Sequence, residues 1–164
     1  MLINFNDLIL TKKVNGIIHV GAHELEELSC YLKRNVTRVI WIEANPEKYE
    51  LINRKIKNFE NMVLGKFAAG SRKCLGNLNL ATNGQSSSLL ELGTHLNNYP
   101  EVKYNSNIEV EIKKVDEWID ENINNKYFYN FINIDIQGFE LEALKGLSNQ
   151  LKIAEYVYLE VNFE

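Results

Sequence analysis

The sequence predicts an α/β fold with a mostly parallel sheet and helices on both of its faces, and three observations carry that expectation. Short β-branched runs recur at Ile17–Val20 and at residues 38–42 and 131–136; the stretches between them switch to helical spacing; and Gly, Asn or Pro marks the changeovers. Strands alternating with helices require right-handed crossovers and a sheet buried on both sides. The 164 residues, 45% of them hydrophobic and 24% charged, suffice for a single domain with an ordinary core.

Each element has its own signal. The run Ile17-Ile18-His19-Val20 ends in Gly21-Ala22, after which Leu25, Leu28 and Leu32 recur at i, i+3 and i+7, so a strand, a tight turn and a helix from Glu24 are expected. Residues 38–42 form a second buried strand. Asn45-Pro46-Glu47 then supplies an N-cap, a first-turn proline and a favourable acid for a helix whose stripe is Ile52, Ile56 and Phe59. Residues 62–69 read as a third strand ending in Ala68-Ala69-Gly70, which completes βαβαβ by residue 70. Residues 75–81 suit another strand, and 82–90 a polar loop or a loop running into a helix. Ile108, Val110 and Ile112 alternate with charges as on a half-exposed strand, and Val115, Trp118, Ile119 and Ile123 suit a short helix begun at Asp116. After the strand at 131–136, Gly138 permits a turn, and Leu141, Leu144, Leu147 and Leu151 give one helix its core face. Residues 156–161 form a last strand.

Composition excludes several classes. Eighteen Lys and Arg against 22 Asp and Glu give a net charge of −4, so no nucleic acid partner is expected. No apolar stretch approaches the roughly 18 residues that span a bilayer, and residues 1–10 lack the pattern of a signal peptide; no membrane partner and a cytoplasmic location are expected. Cys30 and Cys74 lack the paired spacing of a zinc site or disulfide framework, which fits a reducing compartment.

In parallel sheets ligands bind at the carboxyl ends of the strands. Those positions hold Gly21-Ala22-His23-Glu24, Glu43-Ala44-Asn45, Ala68-Ala69 and Asp135-Ile136-Gln137-Gly138. Gly21 and Ala22 allow close approach to the backbone, but the turn lacks the three-glycine dinucleotide fingerprint and Glu24 in it repels a pyrophosphate. Glu43 ends a strand about 20 residues after the glycine turn, where a carboxylate accepts both hydroxyls of a ribose. An adenosine ligand without phosphate and with a positive centre fits: S-adenosylmethionine, whose ammonium Asp135 is placed to pair. NAD is disfavoured on the same grounds.

Four blocks, Ile18-His-Val-Gly-Ala-His-Glu24, Trp41-Ile-Glu-Ala-Asn-Pro-Glu47, Asn83-Gly-Gln-Ser-Ser-Ser-Leu-Leu-Glu91 and Ile134-Asp-Ile-Gln-Gly-Phe-Glu-Leu-Glu-Ala-Leu-Lys-Gly146, together resemble the FkbM family of S-adenosylmethionine-dependent methyltransferases. The resemblance runs from about Ile17 onward. It implies a Rossmann-like class I methyltransferase fold and O-methylation of a hydroxyl, commonly on a sugar, a glycan or a polyketide-like acceptor. It also implies a cofactor site among Gly21, Ala22, His23, Glu24, Glu43, Ala44, Asn45, Ala68, Ala69, Ser86 and Asp135, with Ser87, Ser88 and Gln137 toward the acceptor. The family's usual acid at the start of the first block is His19 here, and its usual glutamate two residues past the motif aspartate is Gln137. The family continues past residue 162 into a helix and an antiparallel hairpin, about 40 to 60 residues by usual domain lengths. Truncation, or a partner such as a second copy covering the edge of the last strand, is therefore expected.

Roles within the site stay open at this level. Asp135 serves as ammonium anchor or as base beside the acceptor hydroxyl, and His95 and Glu160 are further candidate bases. Asn45 is also explained as a helix cap, and residues 86–88 as a polar loop. A metal at His19, His23 and Asp135 is disfavoured because His19 lies within a strand and faces the core. A nucleotide-dependent oxidoreductase and a non-catalytic binding module are the competing classes.

Overall fold

The computed structural model describes residues 7–81, 87–90, 104–123 and 127–159. Five parallel strands make the main sheet: β1 (Ile17–Val20), β2 (Val39–Glu43), β3 (Met62–Lys66), β7 (Phe131–Ile134) and β8 (Tyr156–Leu159), in the order β3-β2-β1-β7-β8. β4 (Ala68–Ala69), β5 (Cys74–Ala81) and β6 (Tyr104–Lys113) form a second sheet in the order β4-β6-β5, with β5 antiparallel to β6.

Both faces of the main sheet are covered, and alternation along each strand shows it. Ile17, Val39, Trp41 and Phe131 enter one core with Tyr31 and Ile52. Ile18, Val20, Ile40, Ile42, Ile132 and Ile134 enter the other with Phe67, Ala143 and Leu147. Continuous β-branched runs are the sequence consequence of that double burial. The expected strand at 62–69 divides at Phe67, which is buried and packs against Trp118 at 5.5 Å between centroids with the rings tilted by 41°. That anchorage turns the chain out of the main sheet, so Ala68 and Ala69 pair with β6 instead.

The helices also depart from their sequence bounds. α1 (Leu28–Lys33) starts four residues after Glu24, because His23 (φ 42°) and Leu25 (φ 62°) adopt left-handed backbone in the preceding turn. Asn45 caps as expected, accepting from the Glu47 N–H at 3.0 Å, and a 3₁₀ turn at Pro46–Lys48 leads into α2 (Tyr49–Ile56) with Ile52 and Ile56 inward. α3 (Val115–Asn122) begins after Lys114, not at Asp116. The Asp116 carboxylate instead accepts from the Asn149 N–H (2.7 Å) and the Gln150 N–H (3.2 Å), so it caps α5 (Ser148–Leu151) from across the fold. The single leucine-striped helix expected after Gly138 is two helices, α4 (Glu140–Gly146) and α5. Leu141 points outward, 64% exposed, while Ala143 and Leu147 are fully buried. Of the last expected strand, residues 160 and 161 lie outside the described residues. Among the described residues no helix is long and apolar enough to cross a membrane.

Gly146 pins α4 to the start of the second sheet. A Cβ built there lies 2.1 Å from the Gly70 carbonyl oxygen and 3.3 Å from the Lys114 Cα, both backbone atoms that do not yield easily. Gly146→Ala should therefore lower the free energy of unfolding by about 2 kcal/mol or more through overpacking, read by urea denaturation. An unchanged midpoint would show that α4 is not held this closely.

Candidate functional site

The order β3-β2-β1-β7-β8 reverses between β1 and β7, and a crevice opens at the carboxyl ends of strands at such a point. A cleft lies there. The β1 turn contributes Gly21 and His23, the end of β2 contributes Glu43, Ala44 and Asn45, β4 contributes Ala68 and Ala69, and the β7 turn contributes Asp135 and Gln137. Ser87 and Ser88 complete the wall from the second sheet's side.

Gly21 sets the width of the floor. Its φ is 93°, and a Cβ built on it lies 1.9 Å from the Asp135 carbonyl oxygen, so the ends of β1 and β7 approach as closely as a hydrogen side chain allows. The Gly21 and Ala22 N–H groups both donate to the Ile42 carbonyl, at 2.9 and 3.0 Å, and the Asp135 N–H donates to the Val20 carbonyl at 3.0 Å.

Behind the floor, His19 is buried and does not face the cleft. Its Nε2 is 3.1 Å from the Gly21 carbonyl, and its Nδ1 is 2.8 Å from the Tyr31 hydroxyl, which also accepts from the Asn133 amide at 2.9 Å. These partners assign the proton to Nε2 and the lone pair to Nδ1. Burial pushes the imidazole down to about 4, so it is neutral at physiological pH. His19 is thus a brace on the Gly21 peptide, and among the described residues no group of side chains could hold a metal ion.

Glu43 joins two turns. One carboxylate oxygen accepts from the His23 N–H and the other from the Asn45 N–H, each at 2.7 Å. Burial pushes the Glu43 carboxyl above the usual carboxylate range while those two bonds oppose the rise, and the ordered side chain stays at the cleft edge with the lone pairs the backbone leaves over. Beside it the Tyr49 hydroxyl donates to the Ala44 carbonyl at 3.1 Å.

The β7 turn is fixed from below by Glu140, whose Oε1 accepts from the Ile136 N–H (3.2 Å) and the Gly138 N–H (3.0 Å). Gln137 (φ 55°) turns its amide back onto Asp135 Oδ1 at 2.8 Å. Ser88 donates its hydroxyl to the Gln137 carbonyl at 2.8 Å, and Ser87 accepts from the Ala81 N–H at 3.2 Å. Both serine hydroxyls are therefore engaged with the backbone, and they hold the wall in place.

Two residues named from sequence are not brought to the cleft lining. Ala22 is fully buried in the core behind it. Glu24 is drawn toward α2: Lys48, in the 3₁₀ turn before that helix, pairs with its carboxylate at 2.6 Å, and Lys55 of α2 donates to its carbonyl. Ser86, His95 and Glu160 lie outside the described residues. Conversely, Val20, Ile42, Phe67, Leu78, Leu89, Ile136 and Phe139 line the cleft and were not singled out. Val20, Ile42 and Ile136 adjoin the strand-end motifs and were legible from that position. Leu78 and Leu89 carry no local signal, since the second sheet brings them over the site.

A parallel sheet with a cleft at its switch point defines a Rossmann-like domain, and among the described residues the cleft is lined by two carboxylates and by no Lys or Arg. The model of the Methyltransferase FkbM domain matches residues 19–164, and the chain belongs to that family. A solved structure, the methyltransferase FkbM from Methylobacillus flagellatus KT, shares the fold with a TM-score of 0.61 at 15% identity. The match covers 96% of this chain and 36% of that one, so this chain spans about a third of that protein's length. No curated protein matches the chain.

Two outcomes follow from the site's buried groups. A folded-state value of about 4 for His19 against about 6.5 unfolded means that the unfolded chain binds the extra proton between those limits, so stability falls as pH drops through that window. From pH 6.5 to 5 the wild type should lose about 2 kcal/mol more than His19→Asn does; parallel stability curves would contradict the buried neutral imidazole. Glu43→Ala leaves two N–H groups without their acceptor and should lower stability by about 2 kcal/mol in denaturant titrations. An unaffected variant would show that the two turns do not depend on the carboxylate.

Proposed function

We propose that the cleft binds S-adenosylmethionine and that the chain transfers its methyl group to a hydroxyl of a sugar, glycan or related small-molecule acceptor. The observation that carries the reading is the lining: Glu43 and Asp135 supply negative charge, no Lys or Arg stands among the described lining residues to hold a phosphate, and Gly21 lets a ligand reach the backbone. A pyrophosphate would meet repulsion there, whereas a sulfonium and an ammonium find counter-charges. The match to the methyltransferase family supports the same donor.

In this reading Glu43, already oriented by two backbone donors, offers its remaining lone pairs to the ribose hydroxyls. Asp135 holds the ammonium of the amino-acid portion, or takes the proton of the acceptor hydroxyl. Small side chains at Ala44, Ala68 and Ala69 leave room for a flat ring system beside Phe67. When bound, the cofactor supplies a methyl group already activated on a sulfonium, so alignment with the attacking oxygen provides much of the rate. The residues of this chain contribute rigidity: Glu140 fixes the β7 turn, Glu43 the β2 turn and His19 the Gly21 peptide.

Calorimetric titration with S-adenosylhomocysteine should give a micromolar dissociation constant, with NAD giving none. Asp135→Asn should lose methyl transfer from S-adenosylmethionine to hydroxyl acceptors by about 100-fold or more. Equal binding of NAD, or a fully active Asp135→Asn, would overturn the assignment.

A further inference from the structure

Asp135 presents two oxygens, and the structure treats them differently. Oδ1 is 2.8 Å from the Gln137 amide nitrogen, which donates to it. The same residue's main-chain carbonyl accepts from the buried Ser88 hydroxyl at 2.8 Å, so the loop wall from the second sheet and the carboxylate of the first meet on one residue. Gln137 holds left-handed backbone to do this, and its neighbours' N–H groups are committed to Glu140. A side chain whose backbone is fixed on both sides has little freedom, so the amide is preorganised against Oδ1.

We infer that Gln137 is a positioning residue: its amide holds Asp135 Oδ1 so that Oδ2 is aimed at the ligand. The inference rests on the proposed role of Asp135 and adds a residue that acts through it. An amide is suited to the task because it donates without carrying charge. A carboxylate at that position, 2.8 Å from another, shares a proton with it or repels it. Around Asp135, His19 is neutral, burial holds Glu27 above the usual carboxylate range, Glu43 and His23 line the same cleft, and Glu140 is committed to the turn's N–H groups. Gln137 is thus the neutral partner that fixes the carboxylate without adding to the negative charge around it.

The test compares wild type, Gln137→Ala and Gln137→Met by calorimetry with S-adenosylhomocysteine from pH 5.5 to 8.5, with thermal melts alongside. Gln137→Ala should bind about tenfold more weakly at every pH, as expected for loss of a hydrogen bond to a charged group, with its melting temperature nearly unchanged. Gln137→Met, which keeps the length of the side chain and removes the donor, should lose affinity by the same factor, with its melting temperature likewise nearly unchanged. A merely structural Gln137 would alter the melt and leave the affinity of Gln137→Met unchanged. Both variants matching wild type across the range would overturn the inference and leave the cofactor reading intact. A wild-type chain that binds no S-adenosylhomocysteine would overturn the cofactor reading itself, and the role of Gln137 with it.

Discussion

The contact on which the site depends is the approach of two strand ends at Gly21. With φ at 93° and the Asp135 carbonyl where a Cβ would be, the β1 and β7 turns are welded at the switch point of the sheet. Everything functional is referenced to that contact. The Gly21 and Ala22 N–H groups tie it to β2 through Ile42, which brings Glu43 to one side. Asp135 itself stands on the other. His19, Tyr31 and Asn133 hold the Gly21 peptide from the core, and a neutral imidazole does so with hydrogen bonds alone.

Charge is distributed to the same end. The cleft keeps Glu43 and Asp135, while the carboxylate that would have stood in the first turn, Glu24, is neutralised outside by Lys48. Lys48, just ahead of α2, and Lys55 within it are thereby engaged with that turn. The two departures from the family pattern act in the same direction: histidine at 19 and glutamine at 137 each place a neutral side chain where the family usually has an acid. Asp135 is left as the carboxylate at the β7 end, held by an amide.

How much of this was legible follows from the range of the interactions. Strands β1, β2 and β7 and the Asn45 cap are local matters of β-branched runs and a Pro-Glu turn, and the sequence shows them directly. Strand-end position alone gave Gly21, Glu43, Ala44, Asn45, Ala68, Ala69, Asp135 and Gln137, all of which line the cleft. What was not legible is long-range. Asp116 looks like a cap for its own helix, yet its acceptors are taken by a helix 33 residues away in sequence. Leucine spacing at 141, 144, 147 and 151 gives a continuous helix, whereas the close packing of Gly146 on Gly70 divides it and leaves Leu141 outside. Leu78 and Leu89 enter the cleft only because Phe67 diverts the chain into a second sheet.

The central claim is that the carboxyl ends of β1, β2 and β7 hold an adenosyl ligand. Amide-resolved NMR of the labelled chain titrated with S-adenosylhomocysteine tests it most directly. The account predicts saturable shifts concentrated at Gly21, His23, Ala44, Asn45, Ala69 and Gln137, with the opposite end of the sheet unmoved. Saturable shifts confined to that opposite end, or none at all in a folded chain, would contradict it.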